Sequence, residues 1–153
     1  MAEKGKVPAF VFDGVCHIFN FDQKNALGTP GIMFDEHLYA FHQFMTREGE
    51  TILSREEFFR EWSVDEIYDM VIEDSDTDMI IAQPLPLTDL FHDGLSPWEK
   101  CAEMAQKHPD KAIFWGSVNP LEGKKALDLM TRQVEEFGAK GFKFYNVLYD
   151  YGQ

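Results

Sequence analysis

Short apolar runs alternate along this chain with longer stretches of helical spacing. Val7 to Ile18 (VPAFVFDGVCHI) opens with a β-rich run, and Asp78 to Pro84 (DMIIAQP) is a short apolar run closed by proline. Ala112 to Pro120 (AIFWGSVNP) repeats that design, and Gly141 to Leu148 (GFKFYNVL) is the fourth such run. Runs that are apolar on both faces suit strands of a parallel sheet covered on both sides.

The segments between them carry helix signals. Ser54-Arg55-Glu56-Glu57 and Ser63-Val64-Asp65-Glu66 both fit the capping box, in which a Ser hydroxyl and a Glu three residues later satisfy free amides. The second opens a helix with Val64, Ile67, Met70 and Val71 on one face. Ser96-Pro97-Trp98-Glu99 puts proline at a first helical position, where its missing amide costs nothing. A further helix, from about Glu122 to Phe137, should bury Ala126, Met130, Val134 and Phe137 and stop at Gly138. Strand alternating with helix predicts βαβ crossovers and an α/β fold with a parallel sheet.

Residues 19–53 break the rhythm. They are rich in Phe, Gly and polar groups, with two short helical hints, and read as a long excursion after the first strand. No repeat or linker divides the chain, so residues 1–153 form a single domain. A four-stranded parallel sheet ending near Gln153 would be the first half of a TIM-type barrel with two open edges. A small doubly wound sheet is the structural alternative.

Composition narrows the partners. Hydrophobic residues make up 44% and charged residues 27%, a globular balance. The net charge of −13 argues against nucleic acid or an anionic membrane surface, since both reward clustered Lys and Arg. No apolar run approaches the ~20 residues that span a bilayer. The first residues carry charges without the apolar stretch of a signal peptide, so a cytoplasmic protein is expected. Cys16 and Cys101 lack a Cys-x-x-Cys spacing and read as two reduced thiols.

Four stretches together resemble one family. Phe12-Asp13-Gly14-Val15-Cys16-His17 resembles the first-strand Asp-x-His-x-His of the amidohydrolase-related proteins typified by aminocarboxymuconate semialdehyde decarboxylase. Residues 63–81 resemble their first crossover helix and second strand. His108-Pro109-Asp110-Lys111 through Asn119-Pro120 resembles their third strand, and residues 137–145 (FGAKGFKFY) resemble the fourth. The resemblance implies a barrel with metal-dependent hydrolysis or decarboxylation, covering the N-terminal half of that family's length. Val15 stands where the pattern has its first histidine, and valine cannot bind a metal. The family's other ligands would come from later strands, so the resemblance implies a second protein chain completing the barrel in a hetero-oligomer.

The candidate site residues follow from these placements. His17 is the metal candidate, for zinc first and iron or manganese otherwise, and a bound water there would become acidic enough to attack. Asp13, two residues before Val15 and four before His17, should share their strand face and is a candidate to orient a ligand or hold the metal, or else to cap the strand end. Gln83, Asn119 and Asn146 fall at the C-terminal ends of strands two, three and four, the rim where barrel chemistry collects. They are candidates for substrate binding, or else for loop capping. Lys143 on the fourth strand and His92 in the loop after the second complete the substrate-binding set. His37 and His42 miss the i, i+4 spacing of a helical metal pair and suit packing or a lid.

The expected function is therefore one subunit of a metal-dependent amidohydrolase-like enzyme, hydrolysing an acyl or ring bond or decarboxylating without oxidation. Aromatic residues near the strand ends (Phe19, Phe21, Tyr145) favour an apolar or aromatic small-molecule substrate. The rival is a non-catalytic structural or regulatory subunit that kept the packing surface and lost the site, as Val15 would suit.

Overall fold

The computed structural model of the chain describes residues 9–144. Within them the four apolar runs supply β1 (Phe12–Cys16), β2 (Met79–Ala82), β3 (Ala112–Gly116) and β4 (Gly141–Phe142). All neighbours pair parallel in the order β1-β2-β3-β4. The helices are α1 (Gly28–Met45), α2 (Arg55–Phe58), α3 (Val64–Tyr68), α4 (Trp98–Lys107) and α5 (Lys124–Glu135). The fold is thus α/β with a four-stranded parallel sheet. Among the described residues the strand order follows the chain without a reversal.

The sheet is covered unequally. Ile80 and Ala82 of β2 and Ala112 and Phe114 of β3 are buried on one face, against Cys101, Ala102 and Met104 of α4. The alternate residues Met79, Ile81, Ile113 and Trp115 are only half-buried, and Val15 is 57% exposed. The expectation of strands buried on both faces therefore fails on one side. Apolar composition alone does not distinguish a covered face from an apolar face left open.

Both predicted capping boxes are present, at Ser54 with Glu57 and at Ser63 with Glu66. Pro97 sits at the cap of α4, one residue before the predicted position. Gly138, with φ of +73°, follows α5 and donates to the carbonyl of Val134 at 3.1 Å, as the stop signal required.

Two helix faces differ from their predicted ones. After α3 the chain widens into a π turn (Asp69–Glu73), closed by a 2.8 Å bond from the Asp74 amide to the Asp69 carbonyl. The extra residue rotates the face, so Ile72 is buried and Met70 is exposed. On α5, Ala126 and Gln133 are buried while Val134 is exposed. Gln133 has its own reason to point inward. Its Oε1 accepts from the Ser117 amide and its Nε2 donates to the Ser117 carbonyl, both at 3.0 Å. This two-bond clip fixes the end of β3 to the helix that follows it.

The excursion is more ordered than two helical hints suggested. It holds the 18-residue α1, whose start is obscured in sequence by Gly28, Pro30 and Gly31 and whose apolar residues run around the cylinder. Ile32, Met33, Phe41, Phe44 and Met45 remain exposed on it. The segment leading into α1 is tied to the loop after β2. The buried Asn25 donates through Nδ2 to Asn20 and Gly94 carbonyls at 3.1 and 2.9 Å, and its Oδ1 accepts from the Asp93 amide at 3.0 Å. Among the described residues no helix is long and apolar enough to cross a membrane.

Candidate functional site at the C-terminal ends of the strands

His17 follows β1 directly, and its position is set from β2. Its Nδ1–H donates to the backbone carbonyl of Gln83 across 2.7 Å. A carbonyl can only accept, so in the neutral ring Nδ1 carries the hydrogen and Nε2 keeps a free lone pair. Burial lowers the pKa of the imidazole; Lys143 adds to that effect and the Gln83 carbonyl partly opposes it. A neutral ring with Nδ1 held by a carbonyl and Nε2 open is the arrangement of a metal-binding or proton-accepting histidine.

Gln83 is a bracket around this end of the sheet. Its amide nitrogen donates to the Cys16 carbonyl at 2.8 Å, and its side-chain Nε2 donates to the Gly14 carbonyl at 2.5 Å. The side chain is buried and engaged, so Gln83 is a positioning residue for His17. Ser96, which the sequence marks only as part of a helix start, supports the same corner. Fully buried, its Oγ accepts from the Ile18 amide at 3.0 Å and reaches the Gln83 carbonyl at 3.4 Å.

Asp13 does not keep the strand alternation expected of it. Asp13 pairs with Ile80 and Cys16 with Ala82, so three steps on β1 match two on β2 and a bulge lies between. The Asp13 carboxylate accepts from the Val15 amide at 2.9 Å.

His17 and Asp13 line an apolar chamber of about 490 Å³, walled by Phe19, Phe58, Trp62 and residues of α1. Phe19 meets the His17 ring edge-on at 5.5 Å. A second cavity of about 510 Å³ brings His92 and Asn119 together with Asp93, Ser96, Glu99 and Ser117. There Asn119 Oδ1 caps the turn that follows by accepting from Leu121 at 3.0 Å. Partial burial, and to a smaller extent the charge of Asp93, pushes the Glu99 carboxyl up from its ordinary range. Lys143 follows β4, where its carbonyl accepts from Ser117 Oγ at 2.8 Å and burial lowers the pKa of its amine. Asn146 lies outside the described residues.

The predicted residues thus divide between two neighbouring sites: His17 and Asp13 in the apolar chamber, His92 and Asn119 in the polar one, with Gln83 in the structure between. Among the described residues no three of His, Cys, Asp and Glu group closely enough to hold a metal ion. His17 suits one coordination position by its tautomer, and a complete metal site needs ligands from elsewhere. Set against models of protein families, curated proteins and solved structures, the chain matches none of them.

Proposed function

We propose that this chain is one part of a metal-dependent barrel enzyme of the amidohydrolase-like kind, completed by a second polypeptide. The observation that carries the proposal is the imidazole of His17, neutral and fixed at Nδ1, with Nε2 open at the C-terminal end of a parallel strand. Barrel enzymes place their chemistry at that end. The unreversed strand order supports the barrel reading, as do the half-bare apolar face carrying Val15, Ile81, Ile113 and Trp115 and, among the described residues, the unpaired outer edges of β1 and β4. In a barrel that face is interior, and the free edges pair with further strands.

In this reading His17 holds one metal position and Gln83 orients it. When bound, the metal would supply a water acidified toward neutral pH. The apolar chamber would receive the non-polar body of a small substrate, while His92 and Asn119 of the neighbouring cavity, and Lys143 after β4, would offer polar contacts to a part that extends beyond it. The test is His17→Ala in the protein purified with its partner chain. Bound metal and turnover should fall at least about 100-fold, the scale of losing a first ligand where even supporting residues cost 10–100-fold, with native mass unchanged. Unchanged metal content and turnover would refute the reading and leave a structural subunit in its place.

A further inference from the structure

Asp35 lies in the middle of α1, 1% exposed, and neither carboxylate oxygen has a hydrogen-bond partner among the described residues. The residues one turn to either side of it are anchored. Gly31 packs so near the Leu90 carbonyl that any Cβ would overlap it, and the Leu27 amide donates to that same carbonyl at 2.7 Å. Tyr39 donates through its hydroxyl to the Leu53 carbonyl at 3.1 Å and packs on the rings of Phe58 and Phe59. Asp35 therefore cannot reach water while α1 stays seated. A buried carboxylate without donors is strongly disfavoured in its charged form.

The charges around it do not relieve this. On α1 itself Glu36 is the neighbour that acts on Asp35, with the sign that opposes ionisation. The nearby cation, Arg55 of α2, is engaged with Glu36 in a two-pronged pair. His42 accepts from the Leu53 amide at 2.9 Å. Asp22 and Lys24 before α1, Glu57 and Arg60 around α2, and Asp89, His92 and Asp93 after β2 make no hydrogen bond or ion pair to Asp35.

The helix also matters to the site, because Leu38, Phe41, His42 and Met45 of α1 form one wall of the His17 chamber. We propose that α1 is a proton-gated wall of that chamber, seated while Asp35 is a neutral acid and released once its carboxyl ionises. This follows from the packing of α1 and holds whether or not His17 binds a metal.

The direction is fixed by linkage. Seated, burial and then Glu36 push the Asp35 carboxyl up to about 7. Released into water it returns to about 4. Between those values the seated state holds a proton that the released state has given up, so seating weakens as pH rises, about tenfold per unit. Above about 7 both states are ionised and the dependence levels off.

Amide hydrogen exchange of residues 28–45 in the full chain, corrected for intrinsic rates, tests this across that range. The opening constant of the natural protein should climb about tenfold per pH unit and then flatten, and Asp35→Asn should remove the slope. Equal slopes in both proteins, or no slope in the natural one, would overturn the proposal. A carboxyl-carbon NMR titration of Asp35 needs no substitution and covers the case of a variant that fails to fold. A midpoint near 7 supports the gate, and one near the free value of about 4 removes it.

Discussion

The Nδ1 of His17 stands 2.7 Å from the carbonyl oxygen of Gln83, so a backbone group of β2's end selects the tautomer of a side chain at the end of β1. The bond links residues 66 apart in sequence and exists only once the two strands are in register.

Burial on folding favours the neutral imidazole, with the Gln83 carbonyl in partial opposition. The native value lies below the ordinary 6.5, so this contribution to stability is present above 6.5 and is lost as pH falls through the native value. Nitrogen NMR of His17 should show a titration midpoint below 6.5 and, well above that midpoint, a neutral, Nδ1-protonated ring. The urea midpoint of His17→Asn should decline less on the acid side than that of the natural protein.

Gln133→Leu should be among the costliest substitutions on α5. It leaves the amide and the carbonyl of Ser117 unpaired in a buried setting, at about 1–3 kcal/mol for each group. Gln133→Glu sets a buried carboxylate oxygen against the Ser117 carbonyl, so at neutral pH it should cost at least as much as Gln133→Leu, with the deficit shrinking at low pH where the protonated carboxyl can donate. Chemical denaturation of the three proteins checks the order.

Cys16 and Cys101 are both free and buried, and burial pushes each thiol up to about 12. Thiolate is scarce in the native protein at neutral pH, and thiolate is the reactive form. An aromatic disulfide reagent should label neither residue in the native state and both after unfolding. Labelling of Cys16 under native conditions would mean that the end of β1 opens.

The strands and helix starts were legible because their signals are local. The apolar run Met79–Ala82 is a local pattern even though its partners lie on β1 and β3, and the Ser63 box is closed by Glu66 three residues on; each formed close to its predicted place. The length of α1 was hidden because glycine and proline at its start oppose a helix reading, while the contacts that hold it come from Leu90, Leu53 and Phe58 far along the chain. The buried side of α5 was misread by one residue because a glutamine serving Ser117 outranks a valine when both its polar groups find partners. At the site, the position of His17 followed from the strand pattern. Its tautomer, the bracket made by Gln83 and Ser96, and the separation of His92 and Asn119 into a second cavity all depend on residues brought together by pairing.

The π turn at Asp69–Glu73 makes the approach to β2 unequal toward changes in length. That segment already carries one residue more than an α-helical turn would, with the Asp74 amide reaching back to Asp69. Removing a single residue there lets the turn tighten into ordinary helix and still deliver the chain to Met79, whereas adding one asks an already widened turn to widen again. Natural variation in length along this connection should run toward shortening.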